Sequence, residues 1–200
     1  ASAVRQYSDD YGCYPPAYTV NSAGERLHSW RTLILPYLGE GALYRQIDLS
    51  QPWDAPANRK ARETAVSHYR CQSATGPAHH TTYLAIVTPH SLLRSDRPLP
   101  KSDVAAGPES LVFAIEVAAK HGVPWMEPQD LDEQQYCQLG VSDAASHSGH
   151  DGYMILFAAS LNGEREAVRT ESTREERLKQ IKVAAMNADD GNQGSARKSP

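Results

Sequence analysis

Residues 29–38 read Ser29-Trp-Arg-Thr-Leu-Ile-Leu-Pro-Tyr-Leu38, and their spacing sets the first half of the fold. Trp30, Leu33, Ile34, Tyr37 and Leu38 recur at helical intervals, an apolar stripe that must face a core. Ser29 supplies a side-chain oxygen where the first free backbone N–H groups need an acceptor, so it is the expected N-cap. Pro36 lacks the N–H that a continuing helix requires and should kink or divide the stripe. Beyond it, Leu43, Tyr44 and Ile47 predict another short helical piece.

Working outward, residues 1–12 (ASAVRQYSDDYG) read as the last turns of a helix. Val4, Tyr7 and Tyr11 fall on one face, and Gly12 is the stop. Tyr14-Pro15-Pro16-Ala17-Tyr18 cannot continue that helix, and Asn21-Ser22-Ala23-Gly24 has turn composition. Residues 51–58 (QPWDAPAN) form a proline-broken loop. Three later runs rich in branched and aromatic residues predict strands: Thr81–Thr88, Leu111–Val117 and Tyr153–Ala158. Helices first and strands later indicate an α+β fold, not alternating β-α-β units. From Glu164 to Pro200 charges dominate and Leu178, Ile181 and Ala185 give only a thin stripe. Two regions are therefore expected, a globular domain over 1–163 and a charged segment over 164–200, partly helical and then disordered.

The composition narrows the function classes. With 40% hydrophobic and 22% charged residues and a net charge of -4, the chain has the balance of an ordinary globular protein and not the basic field of a nucleic-acid binder. No apolar run reaches the roughly 20 residues that cross a bilayer. The chain opens Ala1-Ser2-Ala3 without an initiator Met, and the expectation is that something upstream was removed.

Chemistry-bearing residues are present without a diagnostic motif. His147, His150 and Asp151 place two imidazoles and a carboxylate within five positions, a metal-ligand grouping in type; Ser148, Gly149 and Gly152 argue against the helix of a zinc hydrolase and for a turn. His79-His80 reads as a surface pair, and His28 as a helix-start residue or a packing partner of Trp30. Glu116, Glu127, Asp130 and Asp132 offer carboxylates for acid–base work, but spacing brings no two together. There is no G-x-S-x-G elbow and no glycine-rich phosphate loop. The sequence calls for no cofactor. Cys13, Cys71 and Cys137 leave two states open, one disulfide with one thiol or three thiols. The aromatic and proline clusters, Pro52-Trp53-Asp54 and Pro124-Trp125-Met126-Glu127-Pro128, allow a stacking platform for sugars or peptides at Trp53 and Trp125. The structural alternative is that these rings pin irregular loops to a small sheet.

The ordered strings Tyr11-Gly12-Cys13-Tyr14-Pro15-Pro16-Ala17-Tyr18, His28-Ser29-Trp30-Arg31, Leu35-Pro36-Tyr37-Leu38, Pro52-Trp53-Asp54 and Tyr69-Arg70-Cys71 together resemble one family. It is the large planctomycete family of prepilin-like proteins of unknown function, which join a prepilin-type N-terminus to an H-x9-D-G element. Thr82–Val87 and Val123–Leu131 continue the resemblance, which covers about residues 4–160. The stretch from Tyr7 to Pro15 also resembles the helix-to-loop junction of general-secretion pseudopilins. The resemblance implies a pilin-like body, a long N-terminal helix represented here by its last turns and laid on an antiparallel sheet with long loops. It further implies a non-enzymatic structural subunit of a type II secretion or type IV pilus system. Its implied partners are other pilin-like subunits, through the missing helix, and the inner membrane, with the domain in the periplasm or on a surface filament. In an oxidising periplasm a Cys13–Cys71 disulfide would tie the helix end to the body. The chain departs from the family where Ala74, Ala106 and Ala159 replace aspartates, and His150 is followed by Ala159-Ser160 instead of the D-G pair. It resembles a diverged paralogue.

Overall fold

A computed structural model describes residues 2–71, 74–104, 113–139 and 176. The first helix, α1 (Ser2–Tyr11), ends where expected, because Gly12 adopts φ of 69° and its N–H closes on the Ser8 carbonyl. Its buried face is Ala3, Val4 and Ser8, with Tyr7 half-buried. Tyr11 departs from the expected stripe: it is 63% exposed, and its ring lies on that of Tyr7 at 4.4 Å instead of entering the core.

The chain then extends through β1 (Cys13–Tyr14) to the hairpin of β2 (Tyr18–Val20) and β3 (Arg26–Ser29). Asn21 makes that turn, its side-chain oxygen accepting from the N–H groups of Ala23 and Glu25. Ser29 caps α2 (Trp30–Leu33) by accepting from Arg31 N, and Pro36 ends that helix as expected by starting a separate 3-10 turn over Leu35–Leu38. Gly39 closes the turn at φ of 80°, which an L side chain adopts only under strain. Gly39→Ala should therefore lower stability by about 1–2 kcal/mol, read as a shift in the urea midpoint, although the space around the site is open.

After α3 (Gly41–Tyr44), the proline-broken loop is held by one buried side chain. Asn58 accepts from Asp48 N and donates to the carbonyls of Asp48 and Pro52, both at 3.0 Å. It precedes α4 (Arg59–Arg62). His28, on β3, is buried beside this loop. Burial pushes its pKa below the ordinary value, while the backbone of Gln51 and Asp48 and the Asp48 carboxylate pull it part of the way back. The folded imidazole thus resists a proton that the unfolded chain accepts. Stability should be undiminished well above the ordinary histidine pKa of about 6.5 and fall as pH drops through and below it, because the unfolded chain takes up the proton first. A His28→Gln variant should show a flatter profile of melting temperature against pH over that window.

Two of the three predicted strands, those at 81–88 and 111–117, are present but shorter than their apolar runs. β4 (His80–Thr81) pairs with β8 (Val123–Pro124), β5 (Tyr83–Ala85) with β7 (Ala114–Glu116), and β1 with β6 (Leu99–Pro100), all antiparallel. Thr82 separates β4 from β5, and the Thr81 hydroxyl accepts from Tyr83 N, which breaks the expected continuous strand. Ile86 makes a single parallel bridge to Leu131. A short helix, α5 (Glu133–Gln138), follows and carries a capping box: Asp132 accepts from Gln135 N, and the Gln135 side chain accepts from Asp132 N. The described residues form an α+β arrangement of short helices and two-stranded antiparallel ladders. Ala85 packs in one core cluster with Leu35, Leu93 and Trp125, while Leu84 and Ile86 pack in another with Ile115, Val117 and Tyr136. Period-2 alternation thus covers β5 on both faces. The predicted strand 153–158 and the segment 164–200, apart from Glu176, lie outside the described residues.

Candidate functional site

An arginine inside an apolar stripe must find a carboxylate or enough carbonyls, because a buried unpaired charge is costly. Arg31 meets both demands. It is completely buried, and all five of its N–H donors are used. Nε donates to the Trp125 carbonyl at 3.0 Å, and Nη1 to the Tyr83 carbonyl at 3.1 Å and to Asp130 Oδ1 at 2.8 Å. Nη2 donates to the carbonyls of Glu127 and Gln129, both at 3.0 Å. Residues 125–130 therefore wrap around one guanidinium. Asp130 Oδ1 also accepts from Trp30 Nε1 at 3.2 Å and from Ala85 N at 2.7 Å, so β5, α2 and the wrapped segment meet at a single oxygen. Burial pushes the Asp130 carboxyl upward, while Arg31 and the Ala85 amide draw it back. Nothing in the sequence reading singles out Arg31. The available signal is its charge between Trp30 and Thr32 in a stretch that otherwise faces the core.

Two clefts open at the surface near this segment; the first touches it at Pro128 and Asp130, and the second is lined by its neighbour Pro124. One, of about 280 Å3, lies between Tyr18, Arg26, Val87, Leu131 and Gln135; there the Arg26 guanidinium sits 4.1 Å over the Tyr18 ring. The other, of about 470 Å3, is lined by Trp53, Arg62, Glu63, His79 and Pro124. Its parts come from four places: the proline-broken loop, the end of α4, the residue before β4, and β8. Each is fixed. Trp53 N donates to the Leu27 carbonyl, the Arg62 guanidinium donates to the Asp54 carbonyl, Glu63 pairs with Arg59 at 3.1 Å, and the His79 carbonyl accepts from Trp125 N.

The two tryptophans read as a platform are placed differently. Trp53 is half-buried and faces the larger cleft. Trp125 is 1% exposed, with its indole N–H donating to the Thr64 carbonyl at 2.9 Å and its ring 6.0 Å from that of Tyr69. A ligand in the cleft meets Trp53 and Pro124, and Trp125 holds the wall behind them. His79 lines the cleft and His80 lies on β4, their rings edge to face at 4.9 Å.

The four carboxylates serve separate tasks: Asp130 is taken by Arg31, Asp132 caps α5, Glu116 is buried on β7, and the Glu127 carboxyl is pushed upward by burial. Cys13 and Cys71 are not joined by a disulfide in the structure. Cys13 stands opposite Pro100 in the β1–β6 ladder, while Cys71 follows Tyr69, whose hydroxyl is held by the Arg31 carbonyl. His147, His150 and Asp151 lie outside the described residues. Among the described residues no group of His, Cys, Asp and Glu side chains is arranged to hold a metal ion, and no helix is long and apolar enough to cross a membrane.

No curated protein and no solved structure matches the chain. One family profile does, over residues 1–126, a stretch that carries Arg31 and every residue lining the larger cleft. On that match, which spans more than half its length, the chain belongs to the family described as protein of unknown function (DUF1559).

Proposed function

We propose that the chain is the globular part of a pilin-like structural subunit, non-enzymatic, belonging to a secretion or surface-filament system of the cell envelope. The observation that carries this reading is the way α1 is fastened. Beyond its buried face, its last turn is tied to distant segments: Tyr37 Oη donates to Asp10 Oδ2 at 2.7 Å, Lys101 pairs with Asp9, and Lys101 N donates to the Gly12 carbonyl at 2.9 Å. Exposed ion pairs add little to stability one at a time. Links on two sides of one helix end, however, pass tension from a helix into a body, which is what a filament subunit requires. The resemblance in the Tyr7–Pro15 junction supports the same reading.

In this reading the partners are other pilin-like subunits, reached through an apolar helix continuous with α1, and the inner membrane before assembly. The reading requires that helix, so the test is to translate the gene upstream of Ala1. The expected result is a short basic leader and about 20 apolar residues beginning Phe-x-x-x-Glu, and co-expression with a prepilin peptidase should then shorten the protein by the leader mass. A cleavable signal peptide or a start without an apolar segment overturns it.

A further inference from the structure

We propose that the Trp53 cleft is a binding site for a neutral saccharide, with a sugar ring stacked on the Trp53 indole. The inference does not rest on the filament reading. At about 470 Å3 the cleft falls within the roughly 300–1,000 Å3 of small-molecule sites, whereas the Tyr18–Gln135 cleft falls below that range.

The lining selects the class of ligand. Trp53 and Pro124 give an apolar surface, and Arg62, Glu63 and His79 surround it with donors and acceptors. A sugar ring has that same division, an apolar C–H face and an edge of hydroxyls that each donate and accept. Other classes fit less well. An anionic ligand meets the Glu63 carboxylate, a cationic one meets the Arg62 guanidinium, and a wholly apolar one strips water from three polar side chains and returns no hydrogen bond. A peptide adding as a strand needs open backbone groups. Here Trp53 N and the His79 carbonyl are already engaged with Leu27 and Trp125.

The cleft is also preorganised. Arg62 is oriented by the Asp54 carbonyl and Trp53 by its packing on the main core cluster, so these two side chains lose little freedom on binding.

The test uses the 200-residue chain with cellotetraose, maltotetraose and chitotetraose as neutral probes, trigalacturonate as an acidic one, and decaproline as a peptide. Saturation-transfer NMR and tryptophan fluorescence are the readouts. The expected result is saturable binding of at least one neutral tetrasaccharide, weakened roughly tenfold or more by Trp53→Ala and partly retained in Trp53→Phe. Glu63→Gln, which alters an exposed side chain, should weaken the same probe. It carries the test if Trp53→Ala does not fold. Absence of binding by all three neutral probes, binding that survives both variants, or binding of trigalacturonate or decaproline alone overturns the proposal.

Discussion

Asp130→Ala should lower the unfolding free energy by about 3–5 kcal/mol, the cost of removing one partner from a buried ion pair. The substitution leaves the buried Arg31 guanidinium without its carboxylate and also deprives the Trp30 indole N–H and the Ala85 amide of their acceptor. Asp130→Asn should cost less, because an amide oxygen still accepts at the same place. Arg31→Lys should cost nearly as much as the alanine change at Asp130. One ammonium carries three donors on a flexible stem and cannot reach five acceptors spread over Tyr83, Trp125, Glu127, Gln129 and Asp130. Urea unfolding followed by circular dichroism measures all three variants. An Asp130→Ala cost under about 1 kcal/mol would show that the wrapped segment holds without the pair.

Trp125→Ala should be comparably damaging, at about 3–5 kcal/mol for an emptied aromatic site. It removes a ring packed in the main core cluster, the 6.0 Å contact with Tyr69 and the donor to the Thr64 carbonyl. Trp125→Phe refills much of the volume and leaves Thr64 O without its donor, so it should fall between alanine and the parent. Trp53→Ala is the informative contrast. Its ring is half-buried and carries no side-chain hydrogen bond on which the core depends, so the loss should be about 1 kcal/mol, the centre of ordinary point-mutant effects. If the two alanine variants melt together, the division between a wall residue and a surface residue is wrong.

The difference between these tryptophans marks where sequence reading runs out. Both sit beside prolines in similar local strings, Pro52-Trp53-Asp54 and Pro124-Trp125-Met126. Only the β4–β8 ladder, which pairs Pro124 with His80, turns Trp125 inward. Tyr11 is a similar case: helical spacing puts it in line with Val4 and Tyr7, yet it lies near the helix end, where the body no longer covers it.

What the sequence determined by itself is local. Gly12 ends α1, Ser29 caps α2, Pro36 divides the apolar stripe, and the branched runs at 81–88 and 111–117 supply β5 and β7, because caps, missing N–H groups and side-chain periodicity act within a few residues. What only the tertiary structure decided is non-local. Arg31 and Asp130 lie 99 positions apart, and the larger cleft gathers residues between 53 and 124. No local rule joins such groups. They meet because a buried charge must be satisfied wherever the folded backbone offers acceptors, and because packing chooses which face of each short ladder turns inward.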